Sequence, residues 1–269
     1  MSLRIAKAHA YGNDFLYVSA GDIAAADAAR AAQRICSRHR GVGADGLILY
    51  TLTPRGASMK LLNADGSAAE LSGNGLRGLA AILIRWREAA GGAIDPDLEI
   101  STTAGLRHLR LTGRDGARYV LDADMGQPAG LIRQVLSAAG ETVTVSTLSM
   151  GNPQCVLLGP LPDDERFARL GPALEHHPSF PSGTNVEFAL VEAPDRVRIR
   201  IWERGVGPTE SSGTGSCAAA VAAAAHGGAQ RRVEVVAPGG TQWVEWTDAG
   251  VQLTGWAEIL CEGQFLLEL

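Results

Sequence analysis

Lysine is nearly absent from this 269-residue sequence. Lysine and arginine together number 24, and only Lys7 and Lys60 are lysines. An enzyme that uses pyridoxal phosphate needs a lysine for the Schiff base, and neither lysine lies in a recognisable cofactor loop. The Gly-Lys-Ser/Thr of a phosphate-binding loop is also missing. Either lysine could serve pyridoxal phosphate, but no recognisable pattern supports that cofactor or a phosphate-binding loop.

Cysteine and histidine are present without the spacing of a metal site. The four cysteines are Cys36, Cys155, Cys217 and Cys261. They form no Cys-x-x-Cys pair, which argues against a zinc site, and a chain of this length needs no disulfide scaffold. His176 and His177 lie in a proline-rich stretch and are predicted to be in a solvated loop. No metal site is therefore expected.

Long apolar runs and blocks of like charge are missing as well. The longest apolar run, Cys217 to Ala225, has 9 residues, against about 20 for a bilayer span. The first fifteen residues have no apolar signal core, so we expect a cytoplasmic protein. Net charge is −5, whereas a nucleic-acid platform would carry a basic stripe.

The chain repeats a short glycine-rich motif. Residues 70–75 are Glu-Leu-Ser-Gly-Asn-Gly and residues 210–215 are Glu-Ser-Ser-Gly-Thr-Gly, a displacement of 140, and an alanine-rich apolar segment follows each copy. Gly12-Asn13 and Gly151-Asn152 form a second pair, displaced by 139. Two motifs in the same order at nearly the same offset predict two structurally similar halves.

An α/β fold is predicted for each half. The segments Gly78 to Trp86 and Ala218 to Ala225 are apolar on nearly every face, which is typical of buried helices. Short strands are predicted at Ile48–Tyr50, Ser58–Leu62, Val143–Val145, Val156–Leu158 and Val197–Trp202. We therefore expect each half to be a mostly antiparallel or mixed sheet curled around a central helix.

The two halves are predicted to be separate domains. We place the first at residues 1–115 with a C-terminal strand at about 264–269, and the second at 116–263, with a linker near 113–118. The active site is expected at their interface. Residues 163–170 and 171–183 have the composition of surface loops.

The two serines before the glycine-rich turns have two interpretations. Ser72 and Ser212 can simply cap their helices, a role that serine fills well. Alternatively, each side chain projects beside the unpaired N–H groups of a helix N-terminus, which attract a negatively charged ligand. Two such turns on opposite sides of a ligand would suit removal of a proton from one face of a carbon and its delivery to the other.

A dinucleotide-binding motif is the competing interpretation of the first turn. Gly73, Gly75 and Gly78 form Gly-x-Gly-x-x-Gly. The preceding residues are polar, however, and do not predict the buried strand that such a motif follows. The second copy also has Ala218 at the third position, so we disfavour a dinucleotide.

At these motifs the sequence resembles the diaminopimelate epimerase family along nearly its whole length. The resemblance implies two pseudo-symmetric α/β halves and inversion of an amino-acid α-carbon without a cofactor. It also implies a small-molecule substrate and, in most members, a homodimer. The segments that carry it are Gly12-Asn-Asp-Phe15, Arg40-Gly-Val-Gly-Ala-Asp-Gly46, Asn63-Ala-Asp-Gly66, Gly73-Asn-Gly75, Gly151-Asn-Pro153, Gly183-Thr-Asn-Val-Glu-Phe188, Glu203-Arg-Gly205 and Gly213-Thr-Gly215.

The resemblance also implies which residues hold the substrate. They lie in the two turns and in the asparagine and Glu-Arg segments. For Asn63 and Asn185 the alternative is turn structure, because asparagine tolerates turn geometry. The implied substrate-binding residues are Asn13, Asn63, Gly73, Asn74, Asn152, Asn185, Glu203, Arg204, Gly213 and Thr214.

The catalytic positions depart from the family pattern. The resemblance implies a cysteine before each turn and a histidine after Gly-Asn-Pro, but this chain has Ser72, Ser212 and Gln154 there. Serine is a far weaker acid than cysteine and normally needs an adjacent base. Glu203 is retained and is the obvious candidate for that base. Cys217, five residues after Ser212, is predicted to be core packing.

Three functions fit these departures. The first is an epimerase-like isomerase that acts through Ser72, Ser212, Gln154 and Glu203. The second is a diverged enzyme of the same fold, such as a dehydratase or double-bond isomerase. The third is an amino-acid-binding protein without catalysis. The three replacements are equally compatible with a changed reaction, a slow enzyme or an engineered inactivation.

Overall fold

The computed structural model describes residues 2–69, 72–92 and 95–267. Within them the chain forms four α-helices and seventeen strands. The helices are α1 (Ala28–Ile35), α2 (Gly73–Ala89), α3 (Asp164–Glu175) and α4 (Gly213–Ala222). The strands are β1 (Ser2–Ala10), β2 (Asn13–Ser19), β3 (Gly46–Thr53), β4 (Gly56–Asn63), β5 (Ala68–Ala69), β6 (Asp97–Thr102), β7 (Gly105–Asp115), β8 (Arg118–Gly126), β9 (Ala129–Ala138), β10 (Glu141–Ser149), β11 (Pro153–Leu158), β12 (Asn185–Ala193), β13 (Arg196–Glu203), β14 (Gly207–Thr209), β15 (Arg232–Ala237), β16 (Gly240–Thr247) and β17 (Gly250–Leu266).

Two compact units divide the chain. One contains residues 1–123 and 255–269, and the other contains residues 124–254. The structure thus divides the chain after residues 123 and 254, whereas the boundaries predicted from the sequence follow residues 115 and 263. The second boundary lies inside β17 because the early residues of that strand pair with β16, whereas its later residues pair with β1.

The first unit is a mixed sheet. β1 pairs antiparallel with β2, β2 runs parallel to β3, and β3 is antiparallel to β4. β4 then pairs antiparallel with β5 and parallel with β6. β7 joins antiparallel to β6 and to β8.

The second unit repeats this order of pairings strand for strand. β10 to β13 pair antiparallel, parallel and antiparallel in turn. β13 pairs antiparallel with β14 and parallel with β15. β16 is antiparallel to β15 and to the start of β17. The predicted α/β fold of two similar halves is confirmed.

Each unit has one helix inside its curled sheet. The residues of α2 from Gly73 to Ile84 are buried, and α2 packs against β1 and β2. All ten residues of α4 are buried, including Cys217, and α4 packs against strands β10 to β13, β15 and β16. Apolar residues all round these helices explain why both are enclosed.

The outer face of each sheet is covered by a second helix. Ala28, Ala31 and Ile35 of α1 pack against apolar side chains of β1 to β4. Phe167, Leu170 and Leu174 of α3 fill the same role in the second unit. Because these residues recur at helical spacing, they form one apolar face.

Most predicted elements are confirmed. The five predicted strands lie within β3, β4, β10, β11 and β13, and the two predicted helices begin earlier, at Gly73 and Gly213. Two predictions are wrong. Residues 164–175 form α3 rather than a loop. Residues 113–118 are the end of β7, a two-residue turn and the start of β8 rather than a linker.

Asp163 explains the start of α3, because its side chain accepts a hydrogen bond from the Arg166 amide at 2.8 Å. His176 follows the helix as an exposed residue. Among the described residues, no helix has the length and apolar character required to cross a bilayer.

Candidate active site

Ser72 opens α2 as its N-cap. Its backbone is extended, with φ −131° and ψ 118°, and its Oγ accepts a hydrogen bond from the Gly75 amide at 3.0 Å. The capping interpretation is therefore what the structure shows. The hydroxyl proton remains available to a ligand, because the oxygen uses only a lone pair for the cap. The remaining first-turn amides face the same end of the helix, where the dipole favours an anion.

A chain of amides anchors this first turn. The Asn74 side chain is almost fully buried and donates to Asn13 Oδ1 at 3.1 Å. Arg77 Nη2 donates to Asn74 Oδ1 at 2.5 Å. Asn13 in turn donates to Asp45 Oδ2 at 2.8 Å. The structure thus brings together Asn13 and Asn74, both implied by the family resemblance.

Ion pairs hold the outer end of that chain. Asp14 lies 2.8 Å from Lys7 Nζ and 2.9 Å from Arg38 Nη2, which also bonds to Asp45 at 2.7 Å. Burial raises the pKa of Asp14, but the hydrogen bonds and charges of Arg38 and Lys7 outweigh it and lower the pKa overall. Asp14 is therefore an ionised structural group.

Asn63 makes its contacts inside its own turn. Its Nδ2 donates to Ser67 Oγ at 2.9 Å, and its backbone amide bonds to the Ser67 carbonyl. Gly66 closes the turn with φ +86°. The turn-structure alternative accounts for these contacts, and a role in substrate binding stays a prediction.

Ser212 opens α4 with nearly the same geometry as Ser72. Its φ is −140° and its ψ 127°, and its Oγ accepts from the Gly215 amide at 3.1 Å. Thr214 Oγ1 lies 3.5 Å from the same oxygen. The first turn of α4 therefore presents two hydroxyls.

Gln154 belongs to the same cluster. Its Nε2 donates to Asn152 Oδ1 at 2.6 Å, and Asn152 Nδ2 donates to Thr214 Oγ1 at 3.3 Å. Its Oε1 is buried without a hydrogen-bond partner among the described residues. The structure connects Gln154, Asn152, Thr214 and Ser212, but an amide cannot serve as acid or base. Gln154 holds Asn152 in this cluster, and its predicted place among the catalytic residues stays a prediction.

Asn185 fixes the backbone of the Glu-Arg segment. Its Oδ1 accepts from the Arg204 amide at 3.0 Å, and its Nδ2 donates to the Pro153 carbonyl at 3.2 Å. Arg204 Nη1 donates to the Ser182 carbonyl at 3.3 Å. Asn185 thus joins two segments of the second unit that the resemblance implies are functional.

A buried carboxylate at the end of α3 holds the other side of this segment. Glu175 accepts hydrogen bonds from Trp202 Nε1 at 2.7 Å and from the Gly205 amide at 2.8 Å. These two contacts flank Glu203 and Arg204 in the chain. Sequence analysis missed Glu175 because the helix that carries it was predicted to be a loop.

Glu187 is a second buried acid in this unit. It lies on β12, where it pairs with Ile201 of β13, and Ile201 precedes Glu203 by two residues in the chain. The side chain of Glu187 has no exposed surface. Burial, and secondarily the charge of Glu203, raise the pKa of Glu187 well above its ordinary value. A single acid in the apolar segment Asn-Val-Glu-Phe-Ala-Leu was the signal available in the sequence, and it was given no role.

Comparison with known proteins identifies the family. The family model described as diaminopimelate epimerase matches residues 5–130 and 146–260. The diaminopimelate epimerase of Desulforudis audaxviator is 42% identical, over 98% of this chain and 99% of its own.

The chain belongs to the diaminopimelate epimerase family.

Solved structures show the same fold. A Pseudomonas aeruginosa protein titled a predicted epimerase matches with a TM-score of 0.77 at 16% identity, over 99% of this chain and 100% of its own. A hydroxyproline epimerase from Agrobacterium vitis matches with a TM-score of 0.70 at 17% identity, over 98% and 92%. At these identities the likeness establishes the fold alone.

Membership of the diaminopimelate epimerase family confirms the predicted class of enzyme, an isomerase. The roles of individual residues stay predictions. The contacts within the two units nevertheless place nine of the predicted site residues at or beside the two helix starts: Asn13, Ser72, Gly73, Asn74, Asn152, Gln154, Ser212, Gly213 and Thr214.

Gly78 has a packing explanation that replaces the dinucleotide motif. A Cβ at Gly78 would lie 2.0 Å from Tyr17 Oη and 2.9 Å from its Cζ. Tyr17 Oη donates to the Gly75 carbonyl at 3.1 Å and is fully buried beneath α2. Glycine at position 78 therefore makes room for a tyrosine ring, and no phosphate is needed to account for it.

Proposed function

We propose that the chain binds diaminopimelate and exchanges a proton at its α-carbon, with Ser72 and Ser212 serving opposite faces of that carbon. The observation that carries this proposal is the duplicated helix start. In each unit a serine Oγ caps a buried helix at 3.0–3.1 Å from a glycine amide, at the position the family resemblance assigns to an acid or base. The substrate is that named for the relatives.

Each helix start offers an anion site for the reacting group. The first-turn amides of α2 and α4 and the positive end of each dipole favour a carboxylate or the enediolate formed from it. Arg204, held through its backbone by Asn185, supplies a planar cation for a substrate carboxylate. Asn13, Asn63, Asn74, Asn152 and Glu203 complete the proposed set of binding residues.

Serine makes the proposed reaction slow. A thiol has an ordinary pKa of about 8.5 and is readily ionised at a helix N-terminus, whereas a hydroxyl needs an adjacent base. Gln154 supplies none. We therefore expect exchange of the α-proton by the chain as written to be far slower than by a variant with thiols at both positions.

The Ser72→Cys/Ser212→Cys double variant tests this proposal. We expect it to raise α-proton exchange of diaminopimelate in deuterated water at least about a hundredfold, the scale of one acid–base group. Single replacements should help much less, because a proton taken from one face must be replaced on the other. The product is analysed for deuterium content and for stereochemistry.

Ser216→Cys is the matched control. Ser216 lies on α4 four residues after Ser212, is fully buried, and accepts from Gln242 Nε2 at 3.2 Å. A thiol there adds no group at the helix start and should leave exchange unchanged. No exchange by the folded double variant would refute the epimerase proposal and favour a different substrate or a binding role.

Three further properties belong to the proposal. The reaction proceeds without a cofactor or metal, the chain forms a homodimer, and the protein works in the cytoplasm. The resemblance to the diaminopimelate epimerase family supports all three. Sedimentation velocity tests the dimer, and exchange assays in the presence of a chelator test the independence from metal.

A further inference from the structure

The carboxyl group of Glu187 lies beneath the start of α4. The side chain is fully buried, and neither oxygen has a hydrogen-bond partner in another residue among those described. Buried carboxyl groups are normally paired, because an unpaired polar group in the interior costs free energy. The position of Glu187 therefore calls for a function.

Gly215 places this carboxyl group beside Ser212. A Cβ on Gly215 would lie 2.7 Å from Glu187 Oε1 and 3.1 Å from Ser212 Oγ. Both oxygens thus lie on the same side of Gly215, less than about 6 Å apart. Because Gly215 has no side chain to separate them, rotation about the Glu187 side-chain bonds is the movement that would bring the carboxyl group to hydrogen-bond distance from Ser212.

The surroundings of Glu187 favour its protonated form. Its burial and the charge of Glu203 raise its pKa, and only its own backbone amide acts in the opposite direction. Cys155 on β11 is the other ionisable group coupled to it, and the charge of Glu187 would raise the pKa of that buried thiol. A protonated carboxyl group is a hydrogen-bond donor, which a carboxylate is not.

We propose that Glu187 is a positioning residue that supplies a proton to Ser212 and, through Ser212, to the α-carbon of the substrate. This inference rests on the proposed function. Glu187 would then be the acid on the Ser212 side of the substrate, where the family resemblance implies a cysteine and this chain has a serine.

The step balances without another reactant. The electron pair on the α-carbon takes the hydroxyl proton of Ser212 and forms a C–H bond, while Ser212 Oγ takes the carboxyl proton of Glu187. Serine ends neutral and Glu187 ends as a carboxylate. In the reverse direction Ser212 takes the α-proton as its own proton passes to the carboxylate.

At the equivalent point of the first unit the structure has an apolar side chain, that of Ile48. A Cβ on Gly75 would lie 2.7 Å from Ile48 Cδ1, in the position that Glu187 Oε1 has relative to Gly215. Ile48 pairs with Tyr17 of β2, as Glu187 pairs with Val156 of β11. Among the described residues, therefore, only the Ser212 face has a carboxyl group behind the second glycine of its turn.

Infrared spectroscopy tests the state of Glu187 without substrate. The protein, labelled with ¹³C-glutamate, is compared with its Glu187→Gln variant at about pH 7. We expect a carbonyl band of a protonated carboxylic acid that disappears in the variant. Absence of that band would mean that Glu187 is ionised and would overturn the proposal.

Alkylation tests the connection to position 212, again without activity. In Ser212→Cys, the pH profile of thiol alkylation is followed on the peptide that contains residue 212. Two neighbouring ionisable groups titrate as a coupled pair, so adding Glu187→Gln should move the midpoint by at least about half a pH unit. An unchanged midpoint would show that the two side chains do not interact.

Exchange kinetics separate proton supply from structure. We expect Glu187→Gln to slow α-proton exchange at least about tenfold in Ser72→Cys, which keeps Ser212, and less than about threefold in Ser72→Cys/Ser212→Cys, since a thiol needs less help. Equal losses in both would indicate a structural role. Glu245→Gln, an exposed change on β16, is the control.

The experiments distinguish the two failures. If the double cysteine variant shows no exchange, the proposed function fails, whereas the infrared and alkylation results still decide whether Glu187 carries a proton beside position 212.

Discussion

The start of α2 and the start of α4 share a backbone and differ in what lies behind it. The caps of Ser72 and Ser212 have φ and ψ within about ten degrees of each other and nearly equal hydrogen bonds. Behind the second glycine, however, one helix has Ile48 and the other has Glu187. Two copies of one fold can thus conserve a helix start while the chemistry changes in a single side chain.

The surroundings of the two turns differ as well. Asn74 is tied through Asn13 to Asp45 and its ion pair with Arg38. In the second unit the corresponding links run from Thr214 through neutral amides. The first turn is therefore anchored by charges, whereas the second has the buried Glu187 close to its serine.

Ile48→Glu places a carboxyl group behind Gly75 of the first unit, where the second unit has Glu187 behind Gly215. This change should have the largest effect on stability. Ile48 is fully buried, and an unpaired charge in such a site costs about 3–5 kcal/mol. We expect a loss of that order in the free energy of unfolding near pH 8, measured by urea denaturation. Because burial raises the pKa of the introduced acid, the native state holds its proton, and the loss should shrink as the pH falls toward 5.

Ile48→Gln is the control for that pH dependence. It removes the same apolar contacts without adding an ionisable group, so its cost should stay constant with pH. Equal behaviour of the two variants would show that the interior behind Ser72 tolerates charge, and would weaken the contrast between the helices.

Gly78 of α2 and Ala218 of α4 occupy equivalent positions, five residues after the first glycine of each turn. Exchanging these two residue types is a second way to compare the units. Gly78→Ala would place a Cβ against the Tyr17 ring, and we expect a loss of about 3 kcal/mol because overpacking forces buried groups to move. Ala218→Gly in α4 should cost only about 1 kcal/mol through helix propensity. Urea denaturation measures both, and similar costs would refute the tyrosine explanation for Gly78.

Glu187→Gln should alter how stability depends on pH. The pKa of Glu187 is raised in the folded chain from an ordinary 4.5, so the native state binds a proton that the unfolded state releases. Stability from this group is complete below about pH 4.5 and falls as the pH rises toward the folded pKa, by up to about 1.4 kcal/mol per pH unit.

Unfolding of the Glu187→Gln variant at several pH values should lack that decline. Asp14 of the first unit gives the opposite slope, because its lowered pKa contributes stability that is lost as the pH falls. If the variant retains the decline between pH 5 and 8, another group is responsible for it.

Much of the fold could be predicted from the sequence, because repetition and apolar pattern both act locally. The offsets of 140 and 139 between motifs indicated two similar units, and the alanine-rich segments indicated enclosed helices. The loops predicted at residues 163–170 and 171–183 were wrong over residues 164–175, because Pro172 and several charged residues masked an apolar face formed by Phe167, Leu170 and Leu174.

Of the candidate site, the sequence predicts the residues at the two helix starts but not the buried acids behind them. Ser72 and Ser212 stand out because their motif repeats in the chain. Glu187 and Glu175 do not, since their importance depends on burial and on neighbours distant in sequence, such as Gly215 and Trp202. Contacts of that kind follow from register between strands and from packing against a helix, which a single sequence does not specify.

Arg204→Lys addresses a smaller difference between the units. Ala64 lies 140 positions earlier in the chain, so the proposed substrate cation belongs to the second unit alone. Asn185 holds the Arg204 backbone at 3.0 Å whatever the side chain is, and lysine would keep the charge but lose the planar fork. We expect diaminopimelate binding to weaken by about 1–2 kcal/mol in calorimetric titration, the scale of one charge-assisted hydrogen bond. Arg198→Lys, on the strand that precedes Arg204 but paired with Glu192, should leave affinity unchanged. If both variants bind diaminopimelate with equal affinity, another residue supplies the cation that meets the substrate. Arg204 then has only a structural role in its own turn.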